Sequence, residues 1–315
     1  MLNTEIASSS PTPRNDTILI EGAGIAGQVL CRELALKGIA ARLVDRASFP
    51  REKVCGGVLQ WDSWDYLRTR FDLKEPVKTI GRLSHFWRGK KIAAYALPEP
   101  MVYISRKTLD SALFLRQETP KNTDSAELFI NARGAEAESG GDWLGFQSQV
   151  SPVDDLQMHY GRGICAGISP TMEETESHLA FIVKRGRFQG QEDLKRYLWE
   201  ELKIKTDEPL KGTGRIRYGY SKGPLAVGDA KMTTFPFLGL GMKHAILSAR
   251  LLADKISKKE TGSYDLEHQK NFRKYRLFSQ CVGRVYDSPF QGALRPFIQN
   301  RSLFMGLYRW LHGTI

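Results

Sequence analysis

The glycine pattern Gly22-x-Gly24-x-x-Gly27 is the part of this sequence whose residue types and spacing could do chemistry. An apolar run at residues 18–20 precedes it, a helix-like segment follows it, and a second apolar run at residues 41–44 ends in Asp45. This is the order of a βαβ unit that binds a dinucleotide. In such a unit Gly22 permits the tight turn, Gly24 lets the backbone approach a pyrophosphate, and Gly27 lets the helix pack closely on the strand.

The same unit predicts where an anion and a ribose would lie. The free N–H groups and the dipole at the start of the helix favour phosphate, and the acid at the end of the second strand is within reach of a ribose diol. We favour dinucleotide binding over a purely structural glycine turn. The predicted cofactor-binding residues in this unit are Gly22, Gly24, Ile25, Ala26, Gly27, Asp45 and Arg46.

Length and composition limit the class of protein. The chain has 315 residues, 41% of them hydrophobic and 26% charged, as in ordinary globular proteins with a full-sized core. Its four cysteines are widely spaced, so we expect reduced thiols in a cytoplasmic protein and no metal site. Residues 1–15 lack an apolar signal-peptide core, and we expect them to be a disordered lead. No apolar stretch is long enough to span a bilayer.

The C-terminal region is basic and aromatic. Residues 250–315 contain 12 Lys and Arg against 5 Asp and Glu, within a net charge of +11 for the chain. One interpretation is an amphipathic patch that makes peripheral contact with an acidic membrane surface or borders a substrate entrance. The alternative, which we favour, is a helix that packs Phe304, Leu307, Trp310 and Leu311 on the body of the protein. Nucleic-acid binding is not expected, because no recognised module accompanies the charge.

Two further stretches carry a family resemblance. Residues 49–57 read FPREKVCGG, and residues 224–242 read PLAVGDAKMTTFPFLGLGM. Together with GAGIAG and Asp45, they resemble the flavoprotein superfamily of geranylgeranyl reductases, flavin-dependent halogenases and aromatic-ring hydroxylases. The R-x-K-x-C-G-G stretch is most similar to the geranylgeranyl-reductase-like branch. The resemblance spans residues 17–257 and implies FAD as the cofactor.

The resemblance also implies roles for single residues. Arg106 matches an arginine that contacts the cofactor, and Asp229 matches an acid that hydrogen-bonds the ribityl chain. The segment from Pro236 leads into a helix whose N-terminus would point at the flavin ring. Cys55 would lie near the ring, either as a catalytic thiol or as a small residue without chemistry, and His244 would lie near the flavin or cap a helix. The cofactor-binding residues implied in this way are Arg51, Cys55, Gly56, Gly57, Arg106, Gly228, Asp229, Pro236, Gly239, Gly241 and Met242.

The predicted fold is α/β, with a Rossmann-like FAD-binding domain and a β-sheet substrate domain that is discontinuous in sequence. We assign residues 16–80, 104–150 and 212–260 to the FAD-binding domain. Residues 81–103 and 151–211 form the β-rich substrate domain, and residues 261–315 form a C-terminal helical segment. The substrate domain would offer an apolar pocket lined by Phe86, Trp87, Tyr95, Met158 and Tyr160.

These features predict an FAD-dependent oxidoreductase acting on a lipophilic small molecule such as an isoprenoid or polyketide-type lipid. Hydride transfer to a double bond comes first, because the NADPH-gripping residues of the aromatic hydroxylases are missing after Gly134. The alternatives are a flavin-dependent monooxygenase and, because the region after the helix near residue 107 is short, a non-catalytic FAD- or lipid-binding protein. The electron donor would be NAD(P)H or another reductant.

Overall fold

A computed structural model describes residues 17–115, 126–135, 141–216, 218–221, 225–236 and 239–313. The first layer is a three-stranded parallel sheet in the order β2-β1-β6. Its strands are β1 (Thr17–Glu21), β2 (Ala41–Val44) and β6 (Ala126–Asn131), and helix α1 (Ile25–Leu36) connects the first two. A parallel bridge from Asn131 to Ala226 adds a short fourth segment at the edge. The predicted βαβ unit is therefore confirmed.

The second layer is an eight-stranded mixed sheet in the order β11-β7-β10-β9-β8-β4-β5-β3. Most of its strands pair antiparallel, whereas β4 and β8 pair parallel. Its strands are β3 (Val58–Gln60), β4 (Lys78–Trp87), β5 (Lys90–Tyr103), β7 (Trp143–Val150), β8 (Leu156–Gly161), β9 (Ile164–Pro170), β10 (Ser177–Lys184) and β11 (Lys211–Ile216). A separate two-stranded ribbon pairs β12 (Gly219–Tyr220) with β13 (Met232–Thr233).

Helices cover both layers. Helices α1 and α5 pack against each other and share one core cluster with the parallel sheet. A smaller cluster forms where α4 packs on the eight-stranded sheet. The helices that follow α1 are α2 (Trp61–Phe71), α3 (Arg106–Leu115), α4 (Gln191–Leu202), α5 (Leu240–Ser257), α6 (Tyr264–Asn271), α7 (Arg273–Asp287), α8 (Leu294–Gln299) and α9 (Arg301–His312).

The C-terminal helices are part of the core. Phe304 and Leu311 of α9 are fully buried in a cluster with the eight-stranded sheet, as the packing interpretation predicts, and Leu307 packs against that cluster. Trp310, predicted to pack with them, is instead 51% exposed. Within the described ranges, no helix combines the length and apolar character needed to cross a membrane.

Three strands differ from the sequence-based domain assignment. The first is β3, which pairs with β5 in the eight-stranded sheet although residues 16–80 are assigned to the FAD-binding domain. Residues 104–150 were assigned wholly to the cofactor part, but β7 pairs with β10 in the eight-stranded sheet. Strand β11 joins the same sheet, although the predicted cofactor segment begins at residue 212. Strands β7 and β11 contain glycine and polar residues, so their hydrophobic alternation is weak and they are held by neighbouring strands. The predicted lead at residues 1–15 and the linker after α3 lie outside the described residues.

Candidate functional site

The glycine turn after β1 closes against its own helix and the neighbouring strand. Gly22 has φ +113°, and a Cβ atom there would lie 2.4 Å from the carbonyl oxygen of Ala132. A Cβ atom at Gly27 would lie 1.9 Å from the carbonyl oxygen of Gly22. Neither position has room for a side chain. The predicted roles of these two glycines in the turn and in helix packing therefore have a direct steric basis.

Gly24 differs from these two glycines because it faces open space. Its φ of −75° is ordinary for any residue, and it precedes the first turn of α1. The nearest atoms to a Cβ placed there are Arg51 Nη2 at 3.8 Å and Lys53 Nζ at 3.9 Å. The missing side chain thus opens the start of α1, with its free N–H groups, toward two cationic groups. This arrangement suits a diphosphate.

Asp45 lies at the end of β2 beside this turn. Its carboxylate accepts hydrogen bonds from the backbone N–H groups of Ala23 (2.7 Å) and Ala47 (2.9 Å). Arg51 Nη2 is 3.3 Å from the same carboxylate and 3.9 Å from that of Asp110. Asp45 therefore tethers the second strand and the 51–57 loop to the glycine turn. Arg46, also predicted to bind the cofactor, is exposed.

A single cleft begins at the glycine turn and runs under the eight-stranded sheet. It encloses about 1550 Å³ of empty space, part of it open to solvent. Many of the predicted cofactor residues line it, although they come from four separate segments of the chain. These are Gly24, Ile25, Ala26, Cys55, Gly56, Gly57, Arg106, Asp229, Pro236, Gly239, Gly241 and Met242. The predicted residues outside this lining are Gly22, Gly27, Asp45, Arg46, Arg51 and Gly228.

Charged groups converge at the turn end of the cleft. The Arg106 guanidinium makes two hydrogen bonds to the Asp110 carboxylate, at 2.9 and 2.8 Å. Burial and the nearby Arg106 lower the pKa of Lys53. Burial raises the pKa of Asp229, an effect that Lys53 and Arg106 oppose. Three cationic side chains therefore border the space next to the α1 N-terminus, as an anionic ligand would require: Arg51, Lys53 and Arg106.

Asp229 and the start of α5 form the opposite wall. Asp229 lies in a 3-10 turn, Gly228–Ala230, and the Gly228 N–H donates to Ser248 Oγ at 2.9 Å. The N-cap residue of the long helix α5 is Gly239, so Asp229 does not cap that helix. Asp229 is free to contact a ligand, and the α5 N-terminus faces the cleft through Gly239 and Gly241.

The other end of the cleft is apolar. Its wall is the inner surface of the eight-stranded sheet, and Met158 is the one predicted pocket residue that it contains. The apolar side chains of this wall include Leu83, Met101, Leu156, Met158, Phe181 and Ile182.

The other four predicted pocket residues do not line the cleft, so the predicted pocket of five side chains was wrong in these four. Tyr160 shares a strand face with Met158, but Tyr286 of α7 packs on it. Tyr95 stacks on Phe304 of α9, and Phe86 stacks on His159. Trp87 packs beside Tyr160. The C-terminal helices cover Tyr95 and Tyr160. Phe86 alternates with His85, which contacts Phe304, and so points to the opposite face of the sheet.

Cys55 lies in the wall of the cleft, where several groups hold its loop. Its N–H donates to Gln147 Oε1 at 3.3 Å, and its carbonyl accepts from His178 Nε2 at 2.8 Å. Burial lowers the pKa of Arg106, but Asp110 and the nearby Cys55 side chain raise it above its ordinary value. His244, expected near the flavin or as a cap, instead pairs with His268 (Nε2 to Nε2, 3.1 Å), and burial lowers its pKa to about 3.

Sequence reasoning missed several side chains that line the cleft, among them Lys53, Tyr218 and Thr234. Lys53 lies inside the quoted 49–57 motif, so its position between Arg51 and Cys55 was the available signal. Tyr218 and Thr234 belong to no motif, and only the folded chain brings them to the cleft. Among the described residues, no group of three His, Cys, Asp or Glu side chains could hold a metal ion.

No protein-family model matches the chain, and no curated protein sequence matches it significantly. Its structure is similar to that of the flavin-dependent brominase Bmp2, with a TM-score of 0.70, 13% identity and coverage of 94% of this chain and 92% of that chain. It is also similar to tetracycline destructase Tet(55), with a TM-score of 0.63, 15% identity and coverage of 96% and 99%.

A third similar structure is PqsL of Pseudomonas aeruginosa, a probable FAD-dependent monooxygenase, with a TM-score of 0.60, 14% identity and coverage of 93% and 99%. At these identities the likeness establishes the fold. The predicted α/β class is confirmed, and the chain shares the fold of these structures over most of its length.

Proposed function

We propose that the protein is an FAD-dependent oxidoreductase acting on a lipophilic small molecule. One observation carries this proposal. The cleft is lined at one end by Lys53 and Arg106 beside the glycine turn and at the other end by the apolar sheet wall. Arg51 adds a third cation next to Gly24. A dinucleotide laid from the first end toward the second would bring its ring against apolar side chains. Flavin-dependent redox chemistry needs this arrangement, whereas a protein that only stored a lipid would have no need for the cationic end.

The residues present suit FAD. The start of α1 and the cations Arg51, Lys53 and Arg106 would hold the diphosphate, and Asp229 would accept a hydrogen bond from a ribityl hydroxyl. When bound, FAD supplies the two-electron redox chemistry. The protein binds and orients both ligands, and the sheet wall excludes water from the substrate.

Two reaction types follow from different observations. The R-x-K-x-C-G-G resemblance favours hydride transfer to a double bond, with a reductant other than NADPH. The fold shared with PqsL and a brominase favours monooxygenation equally well. We propose that the electron donor is NAD(P)H or an external protein or flavin.

Absorption spectroscopy of the purified full chain first tests whether the protein binds FAD. We expect a flavin spectrum with stoichiometric FAD, and a colourless protein that cannot be reconstituted would refute an FAD-dependent enzyme. Anaerobic reduction with NADH, NADPH and dithionite then identifies the donor. Labelled oxygen separates the reaction types, since one labelled atom in the product means monooxygenation and a saturated, unlabelled product means reduction.

A further inference from the structure

Two buried hydroxyls that line the cleft have no hydrogen-bond partner among the described residues: Tyr218 Oη and Thr234 Oγ1. Leaving a buried hydroxyl unpaired is costly, so such groups usually serve a ligand or an ordered water. The two hydroxyls differ in position. Thr234 Oγ1 lies 3.5 Å from where a Cβ of Gly241 would be, at the α5 end of the cleft where the cofactor ring is expected. We therefore assign the Tyr218 hydroxyl to a ligand other than the cofactor.

Aromatic neighbours fix the position of Tyr218. Its ring centroid lies 5.0 Å from that of Phe235 and 6.0 Å from that of Trp143, the latter in an edge-on contact. Cys165 and Asp229 both act on the pKa of its hydroxyl, and both line the cleft. Burial raises that pKa well above its ordinary value, so the hydroxyl keeps its proton and can donate a hydrogen bond.

The surrounding wall defines what this donor can recognise. Leu83, Leu156, Met158 and Ile182 line the same cleft with apolar side chains. A ligand that fills this end must be largely apolar, and a single oxygen acceptor on it would satisfy the Tyr218 hydroxyl. A hydrogen bond to a carbonyl oxygen also polarises a conjugated double bond toward a nucleophile.

We propose that Tyr218 is a specificity-determining residue that selects lipophilic substrates with a conjugated carbonyl oxygen over plain hydrocarbons. This inference rests on the proposed function, since it assumes that the apolar end of the cleft holds the substrate. It narrows the substrate class to conjugated ketones and related acyl compounds.

Calorimetric titration of the FAD-loaded full chain with two matched probes tests the proposal. The probes are 4-phenyl-3-buten-2-one and 1-phenyl-1-butene, which share a skeleton and differ by the carbonyl oxygen. We expect Tyr218→Phe to weaken ketone binding roughly tenfold, as for one buried hydrogen bond, and to leave hydrocarbon binding unchanged. Tyr275→Phe is the control, because Tyr275 is buried with an unpaired hydroxyl but does not line the cleft.

Several outcomes would overturn the proposal. An unchanged ratio of ketone to hydrocarbon affinity in Tyr218→Phe, or no ketone binding by the wild type, would remove Tyr218 from substrate selection. Weaker FAD binding in Tyr218→Phe would make the hydroxyl a cofactor ligand instead. A wild-type chain that takes up no FAD would refute the proposed function separately, because FAD content is measured before any probe is added.

A second inference concerns the outer face of the C-terminal helices and rests on different observations. Leu303 and Trp310, two turns apart on α9, are 55% and 51% exposed, and Leu277 of α7 is 42% exposed. Lys274 Nζ donates to the carbonyl oxygens of Trp310 and Gly313, so the start of α7 is fixed against the end of α9. Three large apolar side chains are therefore presented by two helices that are held together.

The charge around this face indicates its partner. Residues 273–313 contain seven Lys and Arg and one acid, Asp287. Exposed apolar side chains on basic amphipathic helices suit the headgroup region of an anionic bilayer. We infer that this outer face, defined by Leu277, Leu303 and Trp310, rests on an anionic lipid surface.

Vesicle sedimentation of the full chain tests this inference. We expect binding to vesicles containing phosphatidylserine, little binding to phosphatidylcholine alone, and loss of binding in the Leu303→Ser/Trp310→Ser variant. Leu266→Ser is the control, since Leu266 is 76% exposed on α6, outside this face. Equal binding to both vesicle types would refute an anionic lipid surface as the partner. A dimer in light scattering that the double substitution disrupts would assign this face to a second copy of the chain instead.

Discussion

Replacing Gly24 should separate cofactor binding from folding. A Cβ at this position meets no atom closer than 3.8 Å, and the φ of −75° suits an ordinary residue. We expect Gly24→Val to fold, because its side chain would enter the cleft and leave the core untouched. The loss of glycine before the first turn of α1 should cost about 1 kcal/mol, as for an unfavourable N-cap residue.

The effect on FAD should be much larger. The valine side chain would occupy the space between the α1 N-terminus and the cations Arg51 and Lys53, where the diphosphate would lie. Losing two charge-assisted hydrogen bonds at about 1.5–3 kcal/mol each predicts a loss of about 3–6 kcal/mol in binding free energy. This corresponds to roughly two to four decades in Kd.

Fluorescence titration with FAD and thermal melting of the FAD-free protein measure the two effects. We expect Gly24→Val to melt within a few degrees of the wild type and to show no FAD binding at micromolar concentrations. Gly27→Ala provides the contrast, because its Cβ would lie 1.9 Å from the Gly22 carbonyl oxygen and should disrupt the turn itself. A folded Gly24→Val protein with wild-type FAD affinity would refute the assignment of this turn to the cofactor.

Three further variants test the same structure. Because burial raises the pKa of Asp229, its ionisation costs stability as the pH rises, so Asp229→Asn should raise the Tm of the FAD-free protein at pH 7 but not at pH 3. The same variant should weaken FAD binding by about one to two decades in Kd, because it loses one hydrogen bond to a charged group, worth about 1.5–3 kcal/mol. An unchanged affinity in a titration with FAD would exclude contact between Asp229 and the ribityl chain. Lys53→Met should weaken FAD binding and reduce its dependence on salt concentration, and a salt dependence equal to that of the wild type would place Lys53 away from the diphosphate. Removing residues 302–315 should lower the Tm sharply, since Phe304 and Leu311 are fully buried, and a truncated protein with an unchanged Tm would contradict their place in the core.

The amino-acid sequence by itself determined the βαβ unit and was enough to predict a dinucleotide cofactor. Gly27 and Asp45 make their closest contacts with the turn of their own βαβ unit, so their positions follow from local sterics and spacing. Gly22 is limited in addition by Ala132, which is distant in sequence. The helices α2, α4 and α5 also follow from local hydrophobic periodicity. Strand β7 could not be predicted in this way, because its glycine and glutamines lack a clear alternation and its pairing partners are distant in sequence.

Only the tertiary structure decided which residues share the cleft. Lys53, Arg106 and Asp229 come from three separate segments, and their mutual charge effects exist only where those segments converge. The extent of the apolar wall depends on which part of the sheet the C-terminal helices cover, and they cover Tyr160 but not Met158. No sequence motif marks Tyr218. Its hydroxyl was identified because it is buried without a hydrogen-bond partner among the described residues, and both properties exist only in the folded chain.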